Sequence, residues 1–265
     1  NGILSFRNMR DVQRIKSHAN NSEHALVIGG GLLGLEAAYG LQKQGVHVTV
    51  LHRGEWLLNR QLDKAAGKLL QAELEQRGIN IVLGKEVTAF RGTQHISAVT
   101  LSDGSELNVQ QVIIAIGIVP HTDLAERAGL ECQRGVHVNN RMQTSDEHIY
   151  ALGECCQFGD DTFGLVAPIW DQTRVLSNLF CDDGSHRFEV NPTATKLKIS
   201  GIDLYSAGEY LDSDDTDAVI FNDRLQGTYK KLLFRNDHLV GTVLYGAVQD
   251  GNWYFDLIQN KQNTR

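Results

Sequence analysis

The chain has 265 residues, enough for two domains with cores of their own, and its 42% hydrophobic and 22% charged content is that of an ordinary globular protein. A net charge of −7 without a basic stripe argues against a nucleic-acid partner, and no apolar run approaches the roughly 20 residues of a membrane span. No secretory signal opens the sequence. The four cysteines (Cys132, Cys155, Cys156, Cys181) form no CxxC pair and keep no company with histidines at metal-ligand spacing. Adjacent Cys155 and Cys156 offer a strained redox pair or, the blander reading, two small half-buried residues of a reducing cytoplasm, and no metal site is expected.

The stretch Asn1–Arg7 lacks an initiator methionine and reads as cut from the interior of a longer protein. A short helix, Asp11 to His18, follows, and residues 1–21 are expected to be a linker. Residues 24–34, His-Ala-Leu-Val-Ile-Gly-Gly-Gly-Leu-Leu-Gly, carry the most information. The apolar run Ala25–Ile28 ends in Gly29-x-Gly31-x-x-Gly34 and passes into the helical sequence Leu35–Gln44, with Gly45 as its stop. The order is strand, glycine turn, helix. Gly29 permits the turn, Gly31 lets backbone approach a pyrophosphate, and Gly34 lets helix pack on strand. Gly29, Gly31, Leu33 and Gly34 are therefore the expected dinucleotide cradle, with the positive helix end facing the phosphates.

A second strand, Val46–Leu51, comes at the βαβ distance. An acidic residue is expected near its end to bond the adenine ribose of NADH. The sequence instead offers His52-Arg53, which suit a 2′-phosphate or form a solvated basic loop, so NADH and NADPH both stay open. A helix from about Asp63 to Arg77 and a strand Ile79–Leu83 follow. Glu86–Phe90, Ser97–Leu101 and Leu107–Val109 read as antiparallel strands, with Asp103-Gly104 as a hairpin turn. The fully apolar Val112–Gly117 suits a central parallel strand. The segment 118–190 carries Gly135–Val138, Thr144–Gly153 and a helix Ile169–Phe180. The segment 191–265 reads as a small α+β module. Its strands are 196–199, Leu204–Ala207, Tyr229–Arg235 and Leu239–Tyr245, the turn is Asn236-Asp237, and a helix Trp253–Gln259 closes it. Within it Leu211–Asp217 reads as a mobile acidic loop and Lys230-Lys231 as a solvated edge. Trp170, Trp253 and Tyr254 read as core or interface residues.

Three further motifs carry a resemblance. Ile113–Thr122, with Gly117 and Pro120, resembles the segment closing the nicotinamide domain of two-dinucleotide-binding flavoprotein reductases. Thr144–Glu154 resembles their second flavin motif, and Gly164–Pro168 the segment beside the isoalloxazine. Gly29–Ala38, Arg60–Asp63, Met142–Asp146, Gly153–Cys155, Thr195–Leu204, Val243–Gly246 and Asp250–Tyr254 narrow the match. Together they resemble the flavoprotein part of assimilatory NAD(P)H-nitrite reductase large subunits, over essentially the whole chain. The electron-transfer subunit of assimilatory nitrate reductase and NADH:rubredoxin reductase are close competitors.

The resemblance implies an α/β fold of the Rossmann-like two-dinucleotide-binding type, three-layered, with a parallel sheet and a β-meander, plus a small α+β carboxy-terminal domain. It divides the chain into an NAD(P)H-binding domain (22–117), the later part of an FAD-binding domain (118–190) and a rubredoxin-reductase-like domain (191–265). Glu36 then lies near the nicotinamide and flavin rings as the catalytic candidate, although a carboxylate in the first helical turn is also explained by the dipole. Glu154 accepts hydrogen bonds from the ribityl chain of FAD, and Gly117, Val166 and Pro168 approach the cofactor. Hydride passes from NAD(P)H to FAD. Electrons then pass to iron–sulfur and sirohaem centres on downstream domains or a small subunit, where nitrite becomes ammonium. Only one GxGxxG is present, at the nicotinamide position, so the first half of the FAD domain and the later centres are expected elsewhere in the parent protein. A homodimer is compatible with this reading. A reading of another class makes the chain a nucleotide-binding or assembly module that does not turn over alone.

Overall fold

The computed structural model describes residues 1–197, 199, 201–223 and 225–264. The chain forms two compact units, residues 1–117 with 194–265, and residues 118–193. The first begins with β1 (Ile3–Ser5), α1 (Met9–Ala19), β2 (His24–Ile28), α2 (Leu32–Gln42), β3 (His47–His52), α3 (Lys64–Gln76) and β4 (Ile79–Leu83). A meander of β5 (Val87–Arg91), β6 (Ala98–Leu101) and β7 (Glu106–Asn108) leads to β8 (Gln111–Ile114). The second unit holds α4 (Asp123–Arg127), β9 (Val136–His137), β10 (Cys156–Phe158), β11 (Asp161–Thr162) and α5 (Val166–Cys181). The chain then completes the first unit with β12 (Ala194–Lys196), β13 (Leu204–Gly208), β14 (Asp217–Asp223), β15 (Thr228–Arg235), β16 (His238–Tyr245) and α6 (Gly251–Gln259).

The parallel sheet has the order β1-β8-β2-β3-β4. It is buried on both faces, which is why β2 reads as an unbroken apolar run. Ala25 and Val27 face the helices, in a core with Leu35, Leu41, Leu70 and Leu74. Leu26 faces the meander, with Val99, Leu101 and Val112. These are the three layers: helices, parallel sheet, meander. The antiparallel sheet β12-β13-β16-β15-β14 is separate in hydrogen bonding but not in packing. Leu204, Tyr229, Val243 and Tyr245 lie in the same core as the helices α2 and α3, while α6 covers Tyr205, Ala207, Leu239 and Leu244 on the opposite face.

The structure corrects several expectations. Residues 1–21 are not a linker: β1 pairs in parallel with β8 (Leu4 with Ile113), Leu4 is buried, and Asn8 caps α1 by accepting from the Arg10 and Asp11 amides. Lys231 is not a solvated edge residue. β15 is internal, between β16 and β14, and the Lys231 ammonium is buried 2.8 Å from Asp212 and 3.6 Å from Asp63. The acidic segment Leu211–Asp217 is organised by the same ion pairs and by Arg235, whose guanidinium donates to Asp215 and Glu209. Of the residues expected in the core or at an interface, Tyr254 packs against the core beneath α6, while Trp170 and Trp253 are exposed and not core. The strand expected at 196–199 is β12, two residues earlier; Lys198 of that strand and Ser200 of the Thr195–Leu204 motif lie outside the described residues. β14 and the short α4 were not anticipated. Asn236 and Asp237 form the anticipated turn, both with positive φ.

Candidate nucleotide site

The glycine turn sits where β2 ends. From β2 the chain steps through α2 to β3 and β4 on one side, and returns through the meander to β8 on the other. That reversal of direction is the place where open α/β sheets bind ligands, beyond the carboxyl ends of the strands. The sequence motifs Gly29–Gly34 and Ala115–Gly117 are far apart in the chain but meet here. The Ala115 amide donates to the Ile28 carbonyl, and the Ala115 carbonyl oxygen lies 2.2 Å from where a Gly29 Cβ would stand.

The three motif glycines do different work. A Cβ on Gly34 would stand 1.9 Å from the Gly29 carbonyl oxygen, so Gly34 allows helix and strand to close. Gly29 has φ +121 and is crowded by Ala115. A Cβ on Gly31 would meet nothing within 4 Å. Gly31 is therefore dispensable to packing and open to an incoming group. Gly31 is also the extended N-cap of α2, which presents the free N–H groups of its first turn beside that space. An open backbone at a helix N-terminus, framed by two glycines that the packing requires, fits the pyrophosphate of a dinucleotide.

Leu33, on the first turn of α2, is exposed. The helix starts at Leu32, not Leu35, so Glu36 is in the second turn, where the helix dipole accounts for it less well; it is half-buried. His52 is turned inward. Its Nδ1 accepts from the Gly30 amide at 3.2 Å, and its Nε2 faces the Asn59 carbonyl oxygen at 3.2 Å. That pattern is a neutral imidazole with its proton on Nε2. Burial pushes its pKa down, the Asn59 hydrogen bond works against this, and Arg53 adds to the depression. Of the two readings of His52-Arg53, a 2′-phosphate pair or a solvated basic loop, His52 shows neither a free charge nor full exposure: its ring is held against the glycine turn. Arg53 is exposed, with no ion pair among the described residues. Gly117 follows β8, exposed with φ +109 and open space where a Cβ would be.

In the second unit, Gly153 (φ +95) also has open space on its Cβ side. Its amide donates to Gln172 Oε1 at 2.7 Å, and Gln172 is fully buried on α5. Sequence reasoning missed Gln172. The signal was a polar residue on the buried stripe that continues with Val175 and Leu176. Gln172 Nε2 has no hydrogen-bond partner in range, although it lies near Cys156. Glu154 beside it is exposed. Cys155 and Cys156 form no disulfide, and burial first of all pushes the Cys156 thiol up to about 12, so it stays protonated. Val166 and Pro168 belong to the first turn of α5, which starts three residues before the expected Ile169. Proline is tolerated there because first-turn amides have no helical acceptor. Among the described residues, no group of three His, Cys, Asp or Glu side chains is placed to hold a metal, and no helix is long and apolar enough to cross a membrane.

The chain belongs to the pyridine nucleotide-disulphide oxidoreductase family, which it matches over residues 1–175. Residues 193–262 match the rubredoxin NAD+ reductase C-terminal domain. It is 38% identical over 260 residues to the NAD(P)H nitrite reductase of Bacillus subtilis (strain 168), covering 98% of this chain and 32% of that protein. It is 37% identical over 262 residues to the assimilatory nitrate reductase electron transfer subunit of the same organism, covering 99% and 34%. The chain thus spans about a third of the length of these curated relatives. Among solved structures, the NAD-dependent persulfide reductase from A. fulgidus shares the fold, with a TM-score of 0.88 at 22% identity over 99% of this chain and 53% of that one. The fold is that of the two-dinucleotide-binding flavoprotein reductases.

Proposed function

We propose that this chain is the nicotinamide-handling part of a flavin-dependent NAD(P)H reductase in nitrate assimilation, of the nitrite reductase type. The observation that carries the proposal is the open Gly31 turn at the α2 N-terminus, framed by the crowded Gly29 and Gly34. Gly29, Gly31, Leu33 and Gly34 hold the pyrophosphate, Gly117 borders it from the neighbouring strand, and Arg53 meets the adenine-ribose end. The identity to B. subtilis nitrite reductase supports the choice of pathway.

FAD, when bound, accepts hydride from the nicotinamide and releases electrons one at a time. Toward it this chain offers Gly153, with open space on its Cβ side and its amide fixed by Gln172, together with Glu154, Val166 and Pro168. Glu36 is assigned beside the reacting rings. Iron–sulfur and sirohaem centres would receive the electrons on other domains. The match of residues 193–262 to the rubredoxin reductase C-terminal domain favours a second reading, in which a small one-electron carrier is the acceptor.

Calorimetric titration of the purified chain with NADH, NADPH and FAD tests the proposal. Saturable binding of a nicotinamide dinucleotide, lost on G31V, is the expected result. No binding of either dinucleotide would end the assignment of the Gly29–Gly34 turn.

A further inference from the structure

The stretch between β3 and α3, residues 53–63, touches the glycine turn at one end and the carboxy-terminal sheet at the other. At the near end the Leu58 amide donates to the Gly30 carbonyl at 2.9 Å. Leu57 is fully buried, its Cδ2 2.7 Å from where a Gly30 Cβ would stand. Leu58 itself is buried and held at φ +51, a left-handed conformation that a leucine adopts only when its surroundings impose it. The turn is locked internally, since Gln61 and Leu62 amides both donate to the Leu58 carbonyl and Trp56 Nε1 donates to the Leu62 carbonyl at 2.9 Å.

At the far end the stretch is held by residues more than 140 positions away in sequence. Ser206 on β13 donates its hydroxyl to the Gln61 carbonyl at 2.6 Å. Asp63 caps α3 through Oδ1, which accepts from the Ala66 amide at 3.1 Å. Its Oδ2 accepts from the buried Tyr229 hydroxyl on β15 and faces the buried Lys231 ammonium. The junction thus joins the 53–63 stretch to β13 and β15 through Ser206, Tyr229 and Lys231.

We infer that Asp63 and Tyr229 are positioning residues for the nicotinamide dinucleotide: the carboxy-terminal sheet braces the 53–63 strut, and the strut holds Gly30 and the phosphate-facing turn in register. The inference rests on the nucleotide-binding reading of that turn. It gives the carboxy-terminal module a role in nucleotide binding through a named chain of contacts, without any contact to the nucleotide itself.

The test uses the full chain and titrates NADH into wild type, Y229F, D63A and D63N well below their melting temperatures. Y229F removes one hydroxyl. D63N keeps the cap on the Ala66 amide through its one carbonyl oxygen, since asparagine caps a helix as well as aspartate does, but its Nδ2 is a donor and cannot accept from the Tyr229 hydroxyl. Y229F and D63A should raise the Kd for NADH by about fivefold, the worth of one buried hydrogen bond, and D63N, which keeps the α3 cap but not the bond from Tyr229, should weaken binding as Y229F does. Hydrogen exchange should quicken at the Leu58 amide and in residues 29–34 and 53–63 without spreading through the unit. If D63A does not fold, Y229F decides. Wild-type affinity in Y229F and D63A, a D63N that binds like wild type, or exchange raised throughout the unit would each overturn the inference and leave the nucleotide reading standing. A wild type that binds neither NADH nor NADPH would overturn both; one that binds only NADPH is compared with its variants on that dinucleotide.

Discussion

Gly34 approaches Gly29 so closely that a methyl group on the first would stand 1.9 Å from the carbonyl oxygen of the second. Helix α2 and strand β2 meet at that point with no side chain between them. Gly31, three residues from Gly34 along the same turn, has open space on its Cβ side. The glycine motif therefore divides into two positions that the packing requires and one that it does not.

This division is measurable. G34A must push α2 off β2 and should lower unfolding free energy by about 3 kcal/mol or more, as overpacking against backbone does. G31A meets no protein atom and should unfold within about 0.5 kcal/mol of wild type. Its effect should appear instead as a loss of dinucleotide affinity of about tenfold, from the methyl group's intrusion on the phosphate approach. Urea unfolding and calorimetric titration of the same two variants separate the effects. Equal stability losses would refute the division.

His52 makes stability depend on pH. Its folded-state pKa lies below the ordinary 6.5, chiefly through burial, with the Asn59 hydrogen bond opposing the shift and the Arg53 charge adding to it. The unfolded chain therefore binds a proton more readily than the folded one as pH falls below 6.5, and stability declines in that direction. The His52 contribution should be complete above the unfolded value and shrink as pH drops through the folded one. Urea unfolding at pH 7.5, 6.5 and 5.5 should show a steeper decline for wild type than for H52Q, pH values chosen as about one unit either side of the ordinary histidine pKa. Parallel declines would mean that His52 is not the titrating group.

Gln172 is the second unit's counterpart. Its Oε1 is the acceptor for the Gly153 amide, inside a core of Val138, Met142, Cys156, Phe163 and Val175. Q172L keeps the volume but strands a buried amide, and should cost about 1–3 kcal/mol. Q172E places a carboxylate in the same core and should cost more, with the excess falling at acid pH where the side chain is neutral. Thermal melts at pH 7 and pH 5 would show whether the two variants diverge in this way.

The parts of the fold that were legible in the sequence are those governed by local rules. The β2 run, the three glycines, the helix started by Asp63 and the Asn236-Asp237 turn each announce themselves within a dozen residues. What escaped depends on residues distant in the chain. Lys231 looked like a surface residue because its partners, Asp63 and Asp212, lie 168 and 19 positions away. β14 escaped because it is an edge strand with Val219, Ile220 and Phe221 all exposed, so it lacks the in-and-out alternation of a half-buried strand. β1 is only three residues long, and its neighbour β8 is more than 100 residues on. In the candidate site, His52 was found but its direction was not, since the Gly30 amide that captures it comes from the other end of a βαβ unit.

Arg53 now carries the question of cofactor choice by itself. His52 is neutral and committed to Gly30 and Asn59, so it offers no charge to a 2′-phosphate. Arg53 is exposed beside it, and a guanidinium suits a phosphate by charge and by its planar donor fork. If the adenine ribose lies at the end of β3, R53A should raise the Kd for NADPH by about tenfold, the worth of one charge-assisted hydrogen bond. NADH, which has no phosphate there, should shift by less than about twofold. H52Q, by contrast, should weaken both dinucleotides equally if their shared pyrophosphate lies at the turn that His52 holds. Titrating both dinucleotides into both variants gives four numbers with one required pattern. A selective NADPH loss in H52Q, or an equal loss in R53A, would place the 2′-subsite elsewhere.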